Sequence, residues 1–85
     1  MTIHELKVLP EFFEAVWHEQ KTFEIRKDDR GFEVGDDLYL REFLIDPEGG
    51  GLYTGRTVIR KITYILRDAE QFGLSPGYCI IGMHP

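Results

Sequence analysis

The chain has 85 residues and a mass of 9.9 kDa, room for one domain with one modest core. Fifteen acidic against ten basic side chains give a formal charge of −5, and 42% hydrophobic with 29% charged residues is a folded balance rather than a disordered one. These figures exclude a two-domain enzyme that closes over its substrate, and no run approaches the roughly 18 apolar residues of a membrane span.

The opening Met1 to Lys7 has neither the basic start nor the apolar stretch of a signal peptide. Cys79 is alone, so the chain can form no internal disulfide, and no cysteine-based zinc site unless a partner supplies ligands. A cytoplasmic protein without cofactor or membrane contact is the expectation. The charge is uneven. Between Thr54 and Arg67 lie four bases (Arg56, Arg60, Lys61, Arg67) and no acid, a stripe that could hold a phosphate backbone or simply keep a barrel exterior soluble.

Ile3 to Leu9 alternates moderately and reads as a short strand. Pro10 suits the first position of a helix, and Glu11 and Glu14 suit its positive end. Phe12, Phe13, Val16 and Trp17 share one face, which predicts a helix from Pro10 to about Glu19 with Trp17 in the core. Lys21 to Lys27 then switches to period two, with Phe23 and Ile25 on one side and Thr22, Glu24 and Arg26 on the other. Turn compositions follow at residues 28–31 and 32–36, the second using Gly35 at positive φ.

A further strand spans Asp37 to Leu44, and Pro47 with three glycines makes Ile45 to Gly51 an exposed loop. A long strand runs from about Arg56 to Leu66, and its apolar parity changes between Ile59 and Ile62, the mark of a bulge or sharp bend. Arg67 to Pro76 is irregular or one short turn. Tyr78 to Met83 is apolar on both faces and belongs inside the sheet. The sum is one helix near the front and short strands with turns between them, a closed or nearly closed barrel.

Glu19-Gln20-Lys21-Thr22-Phe23-Glu24-Ile25-Arg26 resembles the signature of the ASCH domain, a branch of the PUA-like superfamily. That signature reads Gly-x-Lys-x-x-Glu-x-Arg after the first helix, and Glu19 here takes the place of the glycine. His4 to Lys7, the Phe32-x-Val34-Gly35-Asp36 turn, Tyr53-Thr54-Gly55-Arg56 and Thr63 to Leu66 extend the similarity to the small bacterial and phage family DUF3850, over essentially all 85 residues. The resemblance implies an α+β fold: a small PUA-like (ASCH) β-barrel of about five to six mostly antiparallel strands with one main N-terminal helix, a single domain over residues 1–85. It also implies a ligand between helix and barrel.

The chemistry of the motif stands beside that resemblance. Glu24 and Arg26, two apart on a strand, leave the same face, and Lys21 can enter the same cleft from the helix end. Two cations and a carboxylate suit a phosphate or the polar edge of a base. The same pattern also describes a solvated strand face with a cross-strand ion pair. The partner expected is RNA or a nucleotide, bound by Lys21, Thr22, Glu24 and Arg26 with Tyr53 and Arg56 on the rim. Tyr39, Tyr64 and Phe72 are weaker candidates for stacking a base.

His4, His18, His84 and Cys79 have no metal-ligand spacing, and Gly49-Gly50-Gly51 lacks the Lys-Ser/Thr of a phosphate loop. Some ASCH-like proteins are amidohydrolases that remove the acetyl group of N4-acetylcytidine, with a threonine three residues after the lysine. Here that position is Glu24, so a nucleoside-directed hydrolase using Lys21 and Glu24 is the alternative, and a protein-interaction module the third reading.

Overall fold

A computed structural model describes residues 1–85. The alternation at the start produces strand β1 (Ile3–Val8), which turns His4, Leu6 and Val8 inward. Pro10 opens helix α1 (Pro10–Trp17), and strands β2 (Phe23–Lys27), β3 (Asp37–Ile45), β4 (Gly51–Leu66) and β5 (Tyr78–His84) follow. A single 3₁₀ turn, Glu70–Phe72, precedes the last strand.

Eight residues are too few for a helix to stand alone. What holds α1 is the docking of Phe13 and Val16, both fully buried, which contributes about 3–6 kcal/mol by area. Trp17 is not in the core as its spacing suggests: it is 48% exposed, its ring 5.9 Å from that of Phe13. The helix also stops before Glu19, whose φ is 59°. The N–H groups of Gln20 and Lys21 both donate to Ala15 O, at 2.8 and 3.0 Å, in a left-handed helix terminus. That backbone favours glycine at this point of the motif, and a side chain there costs about 1 kcal/mol.

The strands form one sheet in the order β1-β3-β4-β5-β2, with β1 parallel to β3 and the other three pairings antiparallel. It curls into a half-barrel around Leu6, Phe13, Leu38, Leu40, Ile62 and Ile81. The closed barrel is therefore not reached: β1 and β2 are edges with no ladder between them. Arginines bridge the seam instead. Arg26 Nη2 donates to Lys7 O at 2.7 Å and Arg30 Nη1 to Glu5 O at 2.6 Å, which satisfies edge carbonyls that would otherwise invite another strand.

β4 begins at Gly51 rather than Arg56, which shortens the loop to residues 46–50 and places Tyr53 in a strand opposite Phe43. Two register shifts bend it. Arg41 pairs with Thr57 and Phe43 with Tyr53, so residues 54–56 all face Glu42, and Gly55 at φ 96° permits that bulge. The second shift lies between Ile62 and Tyr64 and moves the inward side from Val58 and Ile62 to Ile65. The parity change thus falls later than the sequence suggests, because Ile59 faces outward and is half-exposed.

Asp36 ties the N-terminal strand to the turn before β3. Its Oδ2 lies 2.8 Å from His4 Nε2 and accepts from Glu33 N at 3.1 Å, while Oδ1 accepts from Thr2 N at 3.1 Å. The His4 contact foremost, then the two backbone bonds, hold this carboxyl below its ordinary 3.8.

Candidate functional site

β2 carries its polarity the wrong way round for a strand that covers a core. Glu24 and Arg26 pair with Ile81 and Cys79 and share their inward side, whereas Phe23 and Ile25 face out and are about half exposed. Glu24 is 4% exposed. A carboxylate so desolvated persists only when paired. Lys21 Nζ donates to its Oε1 at 2.5 Å and Arg26 Nε to its Oε2 at 3.0 Å. The left-handed turn at Glu19 brings the chain back so that Lys21 Nζ also reaches Phe23 O at 2.6 Å, with its charge 5.0 Å from the Phe23 ring.

A cleft of about 270 Å³ opens beside this trio. It lies along the seam between the end of β1, the start of α1, and β2. Val8, Leu9, Phe12 and Ile25 supply its apolar lining, and Lys21 and Arg26 are its cations against the one carboxylate; Lys7 borders it with the carbonyl that accepts from Arg26. Apolar walls with a few convergent polar groups are the usual make-up of a small-molecule site. Lys7 has no carboxylate partner; its Nζ rests 4.5 Å from the Phe43 ring centroid. The cleft therefore carries a net charge of about +1 on a chain of −5.

Three of the six residues expected from the sequence meet here: Lys21, Glu24 and Arg26. Thr22 does not. It precedes β2, is exposed, and uses its carbonyl to accept from Met83 N at 3.0 Å. Tyr53 is held in the β3–β4 hairpin, edge-on to Phe43 with ring centroids 5.1 Å apart and with the Arg41 guanidinium 3.8 Å from its own ring. Both contacts occupy it.

Arg56 belongs to a different structure. Its Nε and Nη2 donate to the buried Glu42 at 3.0 and 2.9 Å, Nη2 also donates to Glu14 on α1, and its plane lies over Phe13 at 4.8 Å. Thr54 Oγ1 completes Glu42 at 2.7 Å. The bonds to Glu42 and then Glu14 push the Arg56 guanidinium further up, and Arg56 in turn holds both carboxyls below their ordinary 4.5. The rest of the basic stripe is likewise engaged within the fold. Arg60 Nη2 donates to Val16 O at the end of α1 (3.0 Å), Lys61 Nζ to Asp37 (2.9 Å), and Arg67 Nε to Asp28 (2.7 Å).

Sequence reasoning missed Lys7, Leu9, Phe12 and Ile25. The available signal was position: Lys7 to Leu9 end a strand immediately before the helix whose far end carries the motif. Tyr64 and Phe72 are exposed but line no cleft. No three His, Cys, Asp or Glu side chains converge, and no helix is long and apolar enough to cross a membrane.

Comparison with known proteins gives the family. The model described as "Domain of unknown function (DUF3850)" matches residues 3–83, and the chain belongs to that family. The chain is also 41% identical over 61 residues to the "Uncharacterized 12.9 kDa protein in GpA 3'region" of Escherichia phage P2. That alignment covers 72% of this chain and 51% of the phage protein, so the chain spans about half the length of the curated relative it matches.

Proposed function

We propose that this chain is an RNA- or nucleotide-binding domain of the ASCH branch of the PUA-like superfamily, holding a nucleotide in the cleft between α1 and the half-barrel. The observation that carries the reading is Glu24: a nearly buried carboxylate, gripped by Lys21 and Arg26, facing a cleft of net positive charge with apolar walls. Arg26 commits its Nε and one Nη2 hydrogen, so three of its five N–H donors remain for a phosphate or carbonyl edge. Glu24 accepts one bond on each oxygen and has lone pairs left for a base amino group. Leu9 and Phe12 give the flat face of the base an apolar surface.

An amide-shift titration with cytidine and CMP tests this. The expected result is shifts confined to residues 7–9, 12 and 21–26, larger for CMP than for cytidine because the cleft favours an anion. An absence of shifts with either ligand overturns the reading.

One contact favours a second reading. The 2.5 Å approach of Lys21 Nζ to Glu24 is an acid–base pair at a cleft, which a nucleoside-directed amidohydrolase would need. The cleft contains no Ser, Thr or Cys, so such an enzyme would have to activate water rather than form an acyl intermediate. Release of acetate from N4-acetylcytidine is the discriminating assay.

A further inference from the structure

The unpaired seam between β1 and β2 holds a second cleft, of about 160 Å³, floored by Leu6 and Phe32. Arg26 lines both clefts and is the wall between them. The second cleft repeats the electrostatics of the first. Its cations are Arg26, Lys27 and Arg30, and its only carboxylate is Asp29. Lys27 takes part in no ion pair or hydrogen bond of its side chain. Arg30 lies 3.8 Å from Asp29 at a half-exposed pair, too loose to neutralise it. Along the seam four cations (Lys21, Arg26, Lys27 and Arg30) therefore face two carboxylates, the reverse of the chain as a whole, where acids outnumber bases fifteen to ten.

Two adjoining electropositive clefts that share Arg26, the second with a lysine that no carboxylate neutralises, fit a ligand with two anionic groups. We propose that the seam is a track for single-stranded nucleic acid: the nucleotide in the first cleft continues along β2, and its neighbour's phosphate lies in the second cleft against Lys27 and Arg30. This rests on the nucleotide reading of the first cleft and names its ligand as a strand rather than a free mononucleotide.

Calorimetric titration of CMP, the 5′-phosphorylated dinucleotide pCpC, and CDP into the intact chain tests the track. The dinucleotide is expected to bind about tenfold more tightly than CMP, the size of one added charge-assisted hydrogen bond. Its affinity should also fall more steeply with added salt than that of CMP, because one further phosphate is screened. Lys27→Ala should abolish that advantage and leave CMP affinity unchanged. Arg30→Ala should do the same, but it also removes the bond to Glu5 O, so Lys27→Ala is the decisive variant.

Equal affinity of CMP and pCpC overturns the track and leaves the first cleft as a mononucleotide site. The same follows if Lys27→Ala weakens both ligands alike. A gain shown by CDP and not by pCpC overturns the strand in favour of a diphosphate. Binding of none of the three overturns the track together with the reading it rests on.

Discussion

Two buried carboxylates sit on the inner side of the same sheet, each gripped by an arginine, and they do different work. Glu42 lies where β4 bulges, and Arg56, Thr54 and the packed face of α1 leave it nothing further to bind. Glu24 lies at the sheet edge, where the missing β1–β2 ladder opens a cleft and leaves Lys21 and Arg26 with donors to spare. Burial and an Arg–Glu contact are common to both, so neither feature marks a binding site. What separates them is what surrounds the cation: Arg56 lies between two carboxylates and the Phe13 ring, whereas Arg26 has one carboxylate and a cleft beside it. Arg56 joins helix to sheet; Arg26 faces a space.

The contrast can be broken most severely on the helix side. Phe13→Ala should cost about 3–5 kcal/mol, because it leaves a cavity and removes the bed under Arg56, while the folded fraction keeps its nucleotide affinity. Urea unfolding and titration of the same sample read both. Loss of affinity without loss of stability would reverse the two assignments.

Acid should act next, and on the structural carboxylates. Asp36, Glu14 and Glu42 all have folded carboxyls held below their ordinary values, so the unfolded chain binds more protons in acid. Their contribution is complete above about pH 5 and is lost as pH falls through 4.5 and 3.8 toward the depressed folded values. Asp36→Asn should lower stability by about 2 kcal/mol at pH 7 and flatten the acid limb of a stability–pH profile. An acid limb as steep as that of the unaltered chain would assign the loss elsewhere.

On the cleft side the effects should be smaller in stability and larger in binding. Phe12→Ala removes a half-exposed apolar wall of the cleft, and CMP affinity should fall by about tenfold with the melting temperature nearly unchanged. Arg26→Ala should weaken binding at least as much, but it also unfastens the seam at Lys7 O, so its melting temperature should drop too. The smallest expected effect is a gain. Glu19→Gly relieves a left-handed residue and should add about 0.5–1 kcal/mol without altering the cleft.

Much of the architecture was legible because it is written in short-range terms. Pro10 fixes where α1 begins, period two marks β2 and β3, and Gly35 stands at φ 95° in the turn where the sequence puts it. The spacing of Lys21, Glu24 and Arg26 was enough to bring these three together, since a strand places alternate residues on one side whatever else the chain does. Alternation cannot say which side faces the core. In β2 it is the charged one, against the ordinary rule, because β2 is an edge strand whose inner side borders an opening rather than another layer.

Arg56 and Tyr53 were misplaced for a related reason. Both sit in a bulge-bearing hairpin, and a bulge that sets three residues opposite one re-aims every side chain within it. The sequence by itself determined the elements, the turns and the local Lys-x-x-Glu-x-Arg cluster, all set by backbone preference and side-chain periodicity over a few residues. Only the tertiary structure decided which cations are neutralised. That depends on carboxylates and carbonyls brought from distant parts of the chain: Glu42 and Glu14 to Arg56, Asp28 to Arg67, and none to Lys7 or Lys27.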